Sequence, residues 1–234
     1  LLAACAGSPS SSLGELPRTP DASIEQLLEQ AAAAKSPDQA ALLRLTAADL
    51  AARQNNPGRA ASILEQVQMD QLKTDKQIYA NTLSAELALG RSQPKAALTA
   101  LNHPSMQHLG EMPVDLQTRT HTVRARALEA DGQTLAAASE RVFMGPLLQG
   151  DALTANNDAI WTLVAALPPE QLQSTSNDDM GGWLSLARAV KGAGTLEQQQ
   201  AAIDNWKAQN PQHPAARQLP TSLAQLRDLK SVPL

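Results

Sequence analysis

Aromatic residues, long apolar runs and clustered positive charge are all scarce in this sequence. The aromatic residues are three Trp, one Tyr and one Phe, and the 19 Lys and Arg residues are dispersed through a 234-residue chain of net charge −4. Nucleic-acid-binding surfaces combine a basic patch with stacking aromatic rings, so we expect no nucleic-acid partner. No run of about 18 apolar residues occurs, which is the length that a membrane-spanning helix requires.

Motifs of catalytic and metal sites are also missing. The sequence contains no G-x-S-x-G, no phosphate-binding glycine loop and no H-E-x-x-H. His103 and His108 lack further ligands at the usual spacing for a metal. Asp178 and Asp179 precede a predicted helix, where negative charge is favourable, and Glu111 lies in a predicted loop without a partner carboxylate. We therefore expect a protein that is not an enzyme and that holds neither metal nor cofactor.

The single cysteine, Cys5, follows Leu2, Ala3 and Ala4. One cysteine cannot form an internal disulfide and needs another explanation. Leu three residues before the cysteine, with small residues between, resembles the cleavage signal of bacterial lipoproteins, in which the thiol accepts a diacylglyceryl group. Residues 1–5 are therefore predicted to be the end of a signal peptide and a lipidated cysteine. The alternative is a chance cysteine near a chain terminus.

The residues after Cys5 predict where the anchor lies. In Gram-negative lipoproteins an Asp directly after the cysteine favours retention in the inner membrane, whereas this chain has Ala6. The resemblance implies the periplasmic side of the outer membrane. Residues 6–20 are rich in Ser, Pro and Gly, which predicts a disordered linker.

The remaining sequence predicts helices, separated by breaks that contain Gly, Pro, Asn or Asp. No alternation of apolar and polar residues extends beyond four positions, so no strand is predicted. Ser36, Pro37 and Gln39 are typical of a helix start, with Ser36 as the N-cap of a capping box. The predicted helices cover residues 21–35, 37–54, 58–69, 74–89, 94–102, 114–130, 133–143, 151–166, 169–174, 180–190, 196–208, 214–218 and 221–229.

Three segments resemble one another: 48–64, 85–101 and 125–142. In each, a helix ends in small residues, a polar turn follows, and an Ala pair opens the next helix. The pairs are Ala60–Ala61, Ala96–Ala97 and Ala136–Ala137. Their offsets of 36 and 40 bracket a two-helix repeat, and alanine lets two helix axes approach closely.

These repeats predict an all-α fold: an elongated array of antiparallel helix pairs that is tetratricopeptide-repeat-like. The alternative is an ordinary alanine-rich helical bundle. The second half departs from the repeat period, and we interpret it as a helical continuation rather than a separate domain, so that one helical domain covers residues 21–230. Trp161, Trp183 and Trp206 are expected in its core, and the alternative for each is an aromatic anchor in a partner's groove.

Segments 156–173, 181–190 and 201–226 resemble the N-terminal domain of the LpoA family. The shared features are a Trp helix, a helix that opens with Gly-Gly-Trp, an I-x-x-W helix, P-x-x-P-A and Leu-Pro-Thr. Members of this family are outer-membrane lipoproteins that activate a bifunctional class A penicillin-binding protein. The resemblance implies a periplasmic-binding-protein-like α/β domain beyond Leu234, and it offers no catalytic residue.

The resemblance thus implies a non-catalytic regulator of peptidoglycan synthesis that acts as a spacer and interaction module. Its expected partners are a class A penicillin-binding protein and, through the lipid, the outer membrane, with peptidoglycan as a further candidate. One alternative is a peptide-binding helical-repeat scaffold lipoprotein of outer-membrane assembly. Another is a wall-cleaving enzyme with a helical superhelix, which would need a catalytic Glu beside a cleft.

Replacing the cysteine tests the lipid anchor. In the full precursor, Cys5→Ser should abolish acylation and release the protein from outer-membrane fractions, because two or more acyl chains are what make such anchoring stable. The helical content should not change. Membrane fractionation measures the release, and mass spectrometry of the N-terminal peptide measures the acylation. A Cys5→Ser protein that still carries acyl chains would contradict the assignment.

Overall fold

The computed structural model describes residues 22–229, which form helices and no strand, so the all-α prediction is confirmed. Cys5 and the 6–20 linker lie outside the described residues. No helix among those described is long and apolar enough to cross a membrane. The α-helices are α1 (Ile24–Ala32), α2 (Pro37–Arg53), α3 (Pro57–Glu65), α4 (Thr74–Gly90), α5 (Pro94–Leu101), α6 (Val114–Ala130), α7 (Thr134–Met144), α8 (Gly150–Ala165), α9 (Asp179–Lys191), α10 (Leu196–Gln209), α11 (Pro214–Arg217) and α12 (Thr221–Asp228).

The contacts divide the chain into two compact units, one up to Ala127 and one from Leu128 onward. The division falls within α6. The largest fully buried side chains of the first unit include Leu45, Ile78, Tyr79 and Leu101. Those of the second unit include Met144, Ile160, Trp183, Leu186 and Ile203. That residues 21–230 form one helical domain stays a prediction.

Three long helices begin at similar intervals along the chain. The helices α2, α4 and α6 each have 17 residues, and each is followed by three residues and then a shorter helix. They begin at Pro37, Thr74 and Val114, so the repeat lengths are 37 and 40 residues. In the first unit, α2 packs on α3 and α4 packs on α5, and connections this short make the two helices of a pair antiparallel.

The three turns after these helices have the same backbone geometry. Asn55, Ser92 and Gly132 have φ values of 59°, 59° and 79°, which is the left-handed region. In each turn the next residue donates its N–H five residues back, at 2.9 Å; the bonds are Asn56 to Ala51, Gln93 to Ala88 and Gln133 to Leu128. This is the Schellman motif, which satisfies carbonyl groups left unpaired at a helix end.

One alanine after each turn is fully buried. Ala60, Ala97 and Ala137 each occupy the fourth position of their helix and are 0% exposed. Their pair mates Ala96 and Ala136 are exposed. Ala61, the pair mate of Ala60, is half-buried. Aligning the pairs as wholes, at offsets of 36 and 40, was therefore wrong by one residue at the first repeat, because the fully buried alanine is the first of its pair there and the second in the other two.

The helix boundaries differ from the prediction at a few ends. Helix α3 ends at Glu65, and Met69–Gln71 forms a separate 3-10 turn instead of continuing it. The predicted helix at 169–174 is a 3-10 turn, Pro169–Gln171. The predicted loop around Glu111 is also wrong, since Pro104–Glu111 is a 3-10 helix. Pro and Gly in that segment resemble a loop signal, although Pro also fits a first helical turn.

The capping box forms at α1 and not at α2. The Ser23 hydroxyl accepts the Gln26 N–H at 3.2 Å, and the Gln26 side chain accepts the Ser23 N–H at 2.8 Å. Ser36 is the N-cap of α2, as predicted, but its side chain caps no backbone N–H. The Ser36 side chain acts on the Asp38 carboxylate instead and is the main cause that lowers the pKa of Asp38.

Candidate functional site

The segments that carry the family resemblance meet in the second unit. Asp158 on α8 accepts both the N–H and the hydroxyl of Thr221, each at 2.8 Å. This pair joins the Trp helix to the Leu-Pro-Thr segment at the start of α12. The Gly-Gly-Trp, I-x-x-W and His-Pro-Ala segments meet at a second point, which is built around His213.

Two glycines in the first turn of α9 make room for that second point. A Cβ on Gly182 would lie 2.4 Å from Cδ2 of His213, and a Cβ on Gly181 would lie 2.1 Å from the Ser176 carbonyl oxygen. Cβ atoms do not approach other atoms so closely, so both positions require glycine. At the level of sequence, this Gly-Gly pair contributed only to the family resemblance, although two glycines inside a helix are unfavourable and so call for a packing reason.

Trp183, Trp206 and His213 form an edge-to-face aromatic cluster. The His213 ring centroid lies 5.3 Å from that of Trp183 and 5.0 Å from that of Trp206, with steep interplanar angles of 74° and 78°. The Trp206 Nε1–H donates to the Gly182 carbonyl at 3.2 Å and to the Ser185 hydroxyl at 2.8 Å. All three tryptophans are buried, as predicted, with Trp161 the most exposed at 9%.

His213 is held as a neutral imidazole in one tautomer. Its Nδ1 accepts the backbone N–H of Ala215 at 3.0 Å, so the ring proton lies on Nε2, which donates to the Asp179 carbonyl at 2.8 Å. Burial lowers the pKa of His213, although the bond to Asp179 opposes this effect. The ring therefore fixes the starts of α9 and α11 relative to each other as a structural element.

The other titratable candidates have local partners. The Asp178 carboxylate accepts the Gly181 N–H at 2.8 Å, and this bond lowers the pKa of Asp178, which confirms its assignment to a helix N-terminus. His108 Nδ1 lies 3.0 Å from a Glu111 oxygen, and His103 accepts the N–H of Ser105. Within residues 22–229, no three His, Cys, Asp or Glu side chains are grouped as metal ligands would be.

Two cavities flank the aromatic cluster within the second unit. A polar cleft of about 570 Å³ is lined by the 174–179 loop, Arg188 and the 209–213 turn. An apolar pocket of about 330 Å³ lies among α7, α8, α9 and α11 and includes the Trp183 side chain in its wall. Both cavities offer contacts for a ligand or a partner, and neither brings a nucleophile together with a general base.

Comparison with known proteins places this arrangement in a family. The model of the LppC putative lipoprotein family matches residues 17–234. The chain belongs to this LppC family. A relative from Edwardsiella piscicida, named penicillin-binding protein activator LpoA, is 30% identical over 99% of the chain and 34% of its own length. The chain thus spans about one third of that relative, and the resemblance to the LpoA family is confirmed.

Solved structures share the fold of this chain. The LpoA N-terminal domain of Haemophilus influenzae matches 94% of the chain and 98% of its own length, with a TM-score of 0.64 and 20% identity. The LpoA amino-terminal domain of E. coli matches 92% of the chain and 94% of its own length, with a TM-score of 0.65 and 20% identity. At this identity, the two structures show that the fold is shared.

The buried imidazole predicts a dependence of stability on pH. The ordinary pKa of histidine is 6.5 and that of folded His213 is lower, so the unfolded chain binds more protons below that pH. The contribution of the neutral His213 ring to the free energy of unfolding should be fully present above about pH 6.5. It should be lost as the pH drops toward the folded pKa, by about 1.4 kcal/mol for each unit by which folding lowers the pKa. Thermal midpoints between about pH 7.5 and 5.5 measure this loss.

His213→Asn keeps an oxygen acceptor for the Ala215 N–H but does not titrate. This variant should lower the thermal midpoint at neutral pH. It should also reduce the drop in thermal midpoint between neutral and acidic pH. His108→Asn, at an exposed histidine beside the exposed Glu111, is the matched control and should change both much less, because exposed ion pairs contribute little to stability. An unaltered pH profile in His213→Asn would contradict the buried neutral assignment.

Proposed function

We propose that this chain is the N-terminal helical part of a lipoprotein that activates a class A penicillin-binding protein. The observation that carries the proposal is the LppC family match over residues 17–234, together with a relative named penicillin-binding protein activator LpoA that is 30% identical across the chain. The proposed activity is regulatory, since the relative is named an activator. Peptidoglycan synthesis is the process that the regulator serves.

The proposed location is the periplasmic side of the outer membrane, through acyl chains on Cys5. The cleavage-signal pattern, Ala6 after the cysteine and the Ser- and Pro-rich residues 6–20 support it. Lipid at one end and a synthase held in the other membrane would place the helical part between them. Its paired helices then act as a spacer and interaction module, since stacked helix pairs resist bending more than a flexible linker does.

This helical part and a further domain have different roles in the proposal. The chain spans about one third of the Edwardsiella piscicida relative, and the family resemblance implies an α/β domain in the rest of the protein. We propose that this further domain binds the synthase, whereas the helical part sets how far from the outer membrane that domain lies and how it is oriented.

A reconstituted cross-linking assay tests this division. With purified class A synthase and lipid-linked precursor in detergent, reach between membranes has no effect. The full-length protein should therefore stimulate peptide cross-linking, and residues 21–234 should stimulate it little. Chromatographic analysis of digested product measures cross-linked muropeptides.

Two results would count against the account. If residues 21–234 reproduced the full stimulation, the activating surface would lie on the helices. If the full-length protein gave no stimulation, the activator function itself would be wrong.

A further inference from the structure

The apolar pocket beside the aromatic cluster has the size and lining of a ligand site. Its volume of about 330 Å³ is at the lower end of the range of roughly 300–1,000 Å³ that is usual for small-ligand pockets. Its walls are mostly aliphatic and aromatic side chains. The principal ones are Val142, Leu148, Leu153, Ile160, Trp183 and Pro214.

A buried amide interrupts this apolar lining. Leu153, Asn157 and Ile160 are spaced four and three residues apart on α8, so they share one helix face, and all three line the pocket. Asn157 is 3% exposed, and its Nδ2 has no hydrogen-bond acceptor among the described residues. In the adjacent Asn156, the Nδ2 donates to the Arg141 carbonyl at 2.9 Å, and the Oδ1 is the buried atom without a partner.

An unpaired buried donor is unfavourable, because it has lost its hydrogen bond to water without gaining another. A ligand that brings a carbonyl oxygen to Asn157 would remove this penalty, whereas a pure hydrocarbon would not. The amide turns about its Cβ–Cγ bond at little cost, because this torsion is broad, and such a turn can direct Nδ2 to the ligand. The pocket therefore selects an apolar molecule that carries a carbonyl group.

The rim of the pocket limits the ligand's charge. Asp179 and Arg217 both line the pocket and are exposed, so the rim carries one negative and one positive group. A fatty acid or another anionic amphiphile would need an excess of positive charge there. A peptide backbone is neutral and dipolar, and it presents a carbonyl beside each side chain.

We propose that the apolar pocket binds a short peptide segment, with an aliphatic side chain among Leu148, Leu153 and Ile160 and a backbone carbonyl accepting a hydrogen bond from Asn157 Nδ2. The site lies within the second unit and does not depend on the proposed activator function.

Titration of the 234-residue chain with blocked dipeptides tests the site. The probes are N-acetyl-Leu-Leu methylamide, N-acetyl-Ser-Ser methylamide and decanoate. In amide nitrogen–proton spectra, the Leu-Leu probe should shift the Trp183 indole and the Asn157 side-chain signals in a saturable way. The Ser-Ser probe should not do so, and decanoate should bind more weakly than the Leu-Leu probe.

Three variants separate the donor from the apolar walls. Asn157→Leu removes the unpaired donor at similar volume and should weaken binding of the Leu-Leu probe at least about tenfold while the protein stays folded. Asn205→Leu, at an exposed residue of α10, should leave binding unchanged. Leu148→Glu, at a half-buried residue of the pocket wall, should abolish binding of the Leu-Leu probe. This variant tests the proposal if Asn157→Leu does not fold.

Several outcomes would overturn the proposal. One is the absence of saturable shifts with the Leu-Leu probe up to about 10 mM, which is above the concentration where even weak millimolar sites fill. A second is tighter binding of decanoate, which would make the pocket a lipid site. A third is equal affinity of the Leu-Leu probe for the original chain and the folded Asn157→Leu variant.

Discussion

Close approach between helices, at positions where any larger side chain would collide, is the constraint on which this structure depends. In the repeats, the constraint falls on one alanine per pair: Ala60, Ala97 and Ala137, each fully buried at the fourth position of its helix. The preceding turn sets this position, because the left-handed residue and its 2.9 Å bond fix where the next helix begins. The alanine period of 37 and 40 residues therefore follows from the turn geometry.

The second unit meets the same constraint with glycine and histidine. Gly182 lets the His213 ring lie against α9, where a Cβ would come within 2.4 Å of it. The ring then orders Trp183 and Trp206 around itself and holds the first turn of α9 by its bond to Asp179. The polar cleft and the apolar pocket both border this cluster.

Local sequence signals predicted the helices but not the contacts among them. Breaks with Pro, Gly and Asn located each α-helix among the described residues, and the helical context of Trp161, Trp183 and Trp206 placed them in the core. Both signals act within one helix. The register of the alanines was wrong by one residue, since two adjacent alanines look alike until a neighbouring helix selects one. His213 and Asn157 were missed as features of a site, because their partners lie on helices distant in the sequence and single-sequence patterns carry no such information.

Enlarging one alanine and its neighbour tests the close-approach account most directly. Ala97 is fully buried and Ala96, one residue before it on α5, is exposed. Ala97→Leu should destabilise the first unit by about 1–3 kcal/mol through overpacking, whereas Ala96→Leu should stay within about 0.5 kcal/mol. Urea denaturation followed by circular dichroism measures both. The account predicts a lower midpoint for Ala97→Leu alone, and equal midpoints for the two variants would contradict it.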